Sequence, residues 1–143
     1  MAIGASQPNV LIVEDQEGPR KALCMILRSL YRIYTAETAS AALKIIGESP
    51  IDLVIMDVGL PDLSGMEVLR RVRASGQAVK VIVVTGRGSL ESAEEAMRLG
   101  AVAYLLKPFN LLEVLALVQQ GVKASAAELA LRLPMMTRVV SPG

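Results

Sequence analysis

Apolar residues follow two alternating patterns along this chain. Short runs of mostly branched side chains at 10–13, 53–56, 81–84 and 104–106 alternate with longer segments whose apolar positions recur every three or four residues. A short, continuously apolar run suits a strand buried on both faces of a parallel sheet, and the longer period suits a helix packed on that sheet. The pattern predicts strands from Asn9 to Glu14, Arg32 to Ala36, Leu53 to Asp57, Val81 to Thr85 and Val102 to Leu106. Pro19 suits the first turn of the first helix, whose apolar face is Leu23, Ile26, Leu27 and Leu30. Thr38 starts the second helix and Ser49-Pro50 stops it; Ser64 with Glu67 forms a capping box for the third, Ser64 to Ala74. Ser89 opens the fourth helix, which Gly100 closes, and Asn110 caps a fifth that reaches Lys123. The result is an α/β chain of (βα)5 type, a five-stranded parallel sheet doubly wound with helices on both faces.

Each apolar run ends on a reactive polar group. Glu14 and Asp15 follow the first strand, Asp57 the third, Thr85 the fourth and Lys107 the fifth. Parallel strands bring these ends to one edge of the sheet, where open α/β folds bind ligands. Three carboxylates, a hydroxyl and an ammonium suit a divalent cation and a phosphoryl group. An aspartate at a strand end can be no more than a helix cap, but four polar ends in register argue against that for Asp57.

Composition narrows the chemistry. Of 143 residues, 52% are hydrophobic but only 3% aromatic, so one aliphatic core is expected. A net charge of +1 gives no concentrated basic face for nucleic acid. The absence of histidine excludes an imidazole base, a His-ligated metal and a histidine phosphodonor. The single Cys24, set among Leu23, Met25 and Ile26, reads as a buried inert thiol in a reduced cytoplasmic setting. No segment has membrane-spanning length, and MAIGASQP lacks the features of a secretory signal.

The residues ED at 14–15, MDVGLPDLSGMEVLRRVR from Met56, VVTGRG at 83–88 and GAVAYLLKPF ending at Phe109 together resemble the receiver domain of two-component response regulators. The block ESAEEAMRLGAVAYLLKPF looks most like receivers that precede ATPase-type transcription activators. The resemblance implies a flavodoxin-like strand order 2-1-3-4-5. It implies Asp57 as the acceptor of a phosphoryl group from a phosphohistidine on a sensor histidine kinase or phosphotransfer protein. Asp15, Asp57 and the backbone carbonyl of Gly59 would hold Mg2+ (or Mn2+), with Glu14 acting through water. Lys107 would contact the phosphoryl oxygens, Thr85 would bond to them after transfer, and Tyr104 would turn inward with Thr85. A cis bond at Lys107-Pro108 would aim the lysine inward. Gly59 and Arg87 stand where the family tunes the lifetime of the phosphoryl group. Read alone, Glu14 could be a solvated loop charge, Tyr104 a core aromatic and Arg87 a surface cation.

Other classes fit less well. A degenerate receiver that only docks or dimerises would lack Asp57, Asp15 or Lys107. A metal-dependent phosphatase would want a second acid two residues beyond its nucleophile, where this chain has Gly59. Residues 1–8 are expected to form a flexible tail, 9–123 the receiver domain, and 124–143 an extension or the start of a linker. Twenty residues beyond Lys123 are too few for an output domain. Leu112, Leu115 and Ala116 form a second apolar strip on the fifth helix. It points either to a homodimer through the fourth helix, fifth strand and fifth helix, or to cover by the helix-prone segment from Ala124 to Leu133.

Overall fold

The computed structural model describes residues 7–123 and the backbone of Val139 and Val140. Its elements run β1 (Asn9–Val13), α1 (Glu17–Leu27), β2 (Arg32–Ala36), α2 (Ala39–Glu48), β3 (Leu53–Asp57), α3 (Gly65–Ala74), β4 (Lys80–Thr85), α4 (Leu90–Arg98), β5 (Ala103–Leu106), α5 (Leu111–Lys123) and β6 (Val139–Val140). The strand order is β2-β1-β3-β4-β5-β6, every neighbour parallel. The first five strands therefore have the expected 2-1-3-4-5 order. The sixth is an addition that the sequence did not announce: it pairs Val139 with Tyr104 and Val140 with Leu105. The helix expected from Ala124 to Leu133 lies outside the described residues.

Alternation along the strands sorts the core into two layers. Leu11, Val13, Val54, Met56, Val81, Val83 and Tyr104 face one side, beneath α2, α3 and α4. Val10, Ile12, Leu53, Ile55, Ile82, Val84 and Leu105 face the other, beneath α1 and α5. Successive strand side chains point to opposite faces, so a continuous apolar run feeds both layers at once. Each such buried side chain contributes roughly 1.5–3 kcal/mol relative to exposure.

Helix ends follow local chemistry, with some departures from expectation. Thr38 accepts from the Ala41 N–H, Ser89 from the Ser92 N–H, and Asn110 Oδ1 from Leu112 and Glu113. Gly100, at φ +76°, closes α4: its N–H reaches the Met97 carbonyl, and the Ala101 N–H reaches Ala96, a Schellman pairing. The capping box at α3 forms only by half. Ser64 Oγ accepts from the Met66 N–H, but Glu67 turns to Arg70 and Arg71, at 3.0 Å from each. The arginines at i+3 and i+4 offer charge-assisted bonds in place of the return bond to Ser64. Helix α1 ends at Leu27, so Leu30 lies beyond its apolar face and is exposed. Cys24 is only half-buried, and burial raises its thiol pKa.

Candidate functional site

Register sets the site. Val13 pairs with Met56, Asp57 with Val84, and Thr85 with Leu106, which brings the carboxyl ends of β1, β3, β4 and β5 level. The ladder continues one residue further, from the Glu14 N–H to the Ala36 carbonyl (3.0 Å) and from the Lys107 N–H to the Thr85 carbonyl (2.8 Å). Glu14, Asp57 and Thr85 are consequently the buried polar side chains among the described residues, at 1%, 6% and 3% exposure. Asp15 is exposed at the rim. An open pocket of about 430 Å³ lies over this edge, lined by Asp15, Asp57, Gly59, Thr85, Arg87 and Lys107 among others.

Inside, Lys107 Nζ sits 2.5 Å from Glu14 Oε1 and 2.8 Å from Asp57 Oδ2. The Lys107-Pro108 bond is cis. The other Asp57 oxygen accepts from the Gly59 N–H at 3.0 Å, and Glu14 Oε2 accepts from Gln16 at 3.2 Å. Burial pushes the Glu14 carboxyl above its ordinary value, against the pull of the Lys107 and Gln16 bonds, with Asp57 adding repulsion. For Lys107, burial acts downward, but bonds to Asp57 and Glu14 outweigh it and hold the ammonium above its usual range. Carboxylate oxygens of Glu14, Asp15 and Asp57 lie within 4.8 Å of one another. Three acids against one ammonium leave a net negative cluster of hard oxygen donors, which fits Mg2+ or Mn2+.

Thr85 Oγ1 accepts from the Arg87 N–H at 3.1 Å and keeps its own proton to donate. Arg87 is exposed at the pocket rim. A Cβ on Gly86 would meet nothing within 4 Å, consistent with open space beside Thr85; one on Gly59 would stand 3.8 Å from Asp57 Oδ1. Tyr104 is not in this pocket. It is fully buried beneath α4, and its hydroxyl bonds to Ser92 Oγ. On α5, Leu112 is 68% exposed and Ala116 is exposed, whereas Leu115 leans on the core. The free strip is thus narrower than the sequence suggested.

Three supporting residues escaped the sequence reading. Arg20 donates to the Glu14 and Asp15 carbonyls at 3.1 and 3.3 Å, holding the acidic loop. Asp62 caps α2 from the loop after Asp57, accepting from the Ala39 and Ser40 N–H groups. Gly65 is required by close approach, since a Cβ there would stand 2.3 Å from the Asp57 carbonyl oxygen. Only the PD dipeptide at 61–62 and the glycine after Ser64 hinted at the last two.

A family model for the response regulator receiver domain matches residues 10–119. The chain is 36% identical over 121 residues to the transcriptional regulatory protein FixJ of Azorhizobium caulinodans, covering 83% of this chain and 57% of that one. It is 33% identical to the sporulation initiation phosphotransferase F of Bacillus subtilis, covering 73% of this chain and 86% of that protein. Among solved structures, a CheY-like response regulator receiver domain protein from Methanospirillum hungatei superposes with a TM-score of 0.78 at 31% identity, covering 82% of this chain and 95% of that chain. The chain spans little more than half the length of the FixJ relative.

Proposed function

The chain belongs to the response regulator receiver domain family, and from that premise we propose that it accepts a phosphoryl group onto Asp57 from a phosphohistidine of a sensor histidine kinase or phosphotransfer protein. The observation that carries this reading is the Asp57 carboxylate at the sheet edge, 2.8 Å from Lys107 Nζ and beside Thr85 in one open pocket. An Asp57 oxygen attacks phosphorus, the P–N bond to the donor imidazole breaks, and the imidazole leaves with the electron pair and takes up a proton. Phosphoryl transfer asks mainly for positioning and charge neutralisation. The Gly59 N–H and Lys107 fix the carboxylate, and the lysine meets the charge of the incoming oxygens. Thr85 offers its hydroxyl proton to one of them. Asp15, Asp57 and the Gly59 carbonyl would hold Mg2+, with Glu14 behind them, and the ion would supply further neutralisation of the phosphoryl oxygens.

The chain thus catalyses its own phosphorylation and slow dephosphorylation rather than turning over a metabolite. Gly59 leaves room for water near the acyl phosphate, and the Arg87 cation at the rim faces the same space, so both bear on its lifetime. Transfer would be read out on the surface of α4, β5 and α5, where a homodimer could form through Leu112 and Ala116. A cytoplasmic setting suits the kinase partner and the unpaired Cys24; no helix among the described residues is long and apolar enough to cross a membrane. The presence of Asp15, Asp57, Thr85 and Lys107 in one register favours this reading over a degenerate docking module. Mixing the chain with a histidine phosphotransfer protein carrying labelled phosphate tests it. Label should move to the wild type and not to Asp57→Asn; label remaining on the donor under all conditions would overturn the proposal.

A further inference from the structure

Tyr104 lies wholly inside the layer beneath α4, and a buried phenol needs a partner for its hydroxyl. Ser92, one turn into α4, supplies it. Ser92 Oγ also stands 3.1 Å from Ser89 Oγ and 3.3 Å from the Ser89 carbonyl, and Ser89 caps the helix by accepting from the Ser92 N–H. Three hydroxyls thus tie the β5 ring to the start of α4. Helix propensity alone would favour alanine over serine at 92. The loop between site and helix rests on the same ring: a Cβ on Gly88 would fall 3.3 Å from Tyr104 Cε1 and 2.1 Å from Leu106 Cδ2.

We infer that Ser92 is a positioning residue of the switch, a latch whose hydroxyl holds Tyr104 inward against α4 before any phosphoryl group arrives. The inference rests on the reading of Thr85 and Tyr104 as a coupled pair, with the ring already inward here rather than turning in when Thr85 moves. The backbone leaving Thr85 crosses the ring at Gly88 and is anchored again at Ser89, so Thr85 and the ring share one short segment. With the ring already in place, the ordering of that segment is complete before ligand binding, and less of the binding free energy goes into it. Loss of the latch should therefore weaken binding at Asp57, although Ser92 does not line the pocket over that carboxylate.

The test uses the full chain with 13C-labelled tyrosine and beryllofluoride with Mg2+ as the phosphoryl mimic. Three tyrosines give few ring signals, and Tyr104→Phe assigns the one that matters. Ser92→Ala should shift the Tyr104 signal, leave those of Tyr31 and Tyr34 in place, and weaken beryllofluoride binding about three- to tenfold, the worth of one neutral hydrogen bond. Ser92→Thr should restore both. In the Tyr104→Phe background Ser92→Ala should cost nothing more. A Tyr104 signal unmoved by Ser92→Ala, or the same loss of affinity in the Tyr104→Phe background, would overturn the latch. If the wild type binds no beryllofluoride, the phosphoacceptor reading is what fails, and the ring signal still decides the latch.

Discussion

With its ammonium 2.5 Å from Glu14 and 2.8 Å from Asp57, Lys107 stands between two buried carboxylates that would otherwise repel each other. Replacing it with alanine leaves Glu14 buried at 1% exposure without its ammonium partner. In the absence of divalent cations, Lys107→Ala should lose about 1–3 kcal/mol in denaturant unfolding, the cost of a stranded buried polar group. Mg2+ should then stabilise the variant more than the wild type, because more negative charge awaits neutralisation. For either protein the gain follows ligand linkage, about 2.7 kcal/mol at a hundredfold excess over Kd. Equal stability of the two proteins without cation would contradict the assignment of Lys107 as the bridge. These residues were legible because each terminates an apolar run, so strand prediction alone carried them to one edge. Ser92 was not, because a helical serine looks the same whether it meets solvent or a buried phenol.

At the scale of elements, local signals held for caps with near partners and failed where a distant residue supplies the cap or a neighbouring charge competes for it. The Thr38, Ser89 and Asn110 caps act over two or three residues and could be read directly. Asp62 caps α2 from 22 or 23 residues away, a pairing that only the folded sheet creates. Glu67 failed in its expected role because Arg70 and Arg71 compete for it, and Arg70 also binds Glu95 of α4 at 2.6 Å. That pair ties α3 to α4 and occupies the Glu95 carboxylate within the subunit. Bonds from the Ser40 N–H first, then the Ala39 N–H and the Ser40 hydroxyl, hold the Asp62 carboxyl well below its ordinary value of 3.8. A folded-state value below the unfolded one gives stability that is present above the ordinary carboxylate range and lost as pH falls through and below it. Asp62→Asn should therefore be less stable than wild type near neutrality, and the gap should hold down to the ordinary carboxylate value of 3.8 and narrow below it, so that it is smaller at about pH 2 than at about pH 6. Urea unfolding at those two pH values checks it; a gap that stays constant or widens in acid would contradict the cap.

For the molecule as a whole, the edge of β5 is where the readings meet. The backbone of Val139 and Val140 pairs there, beside Tyr104 and Leu105, on the face proposed for self-association. Sequence pattern did not reveal this strand, since two valines carry no periodicity from which to infer a partner. A tail strand on that edge competes with a second subunit for the same backbone groups. A chain ending at Lys123 should therefore self-associate more tightly than the full chain, and more so with beryllofluoride. Burial of Leu112 adds roughly 1.5–3 kcal/mol per subunit before association costs, enough for a weak dimer. Sedimentation at matched concentrations decides this: equal association of both lengths would remove the tail from the account, and monomers throughout would remove the dimer. The central claim, that Asp57 takes the phosphoryl group, is tested most directly by intact-mass measurement after incubation with acetyl phosphate and Mg2+ under conditions that preserve acyl phosphates. The account predicts one added phosphoryl group on the wild type and none on Asp57→Ala. A wild type that gains no mass, or an adduct that persists in Asp57→Ala, would contradict it.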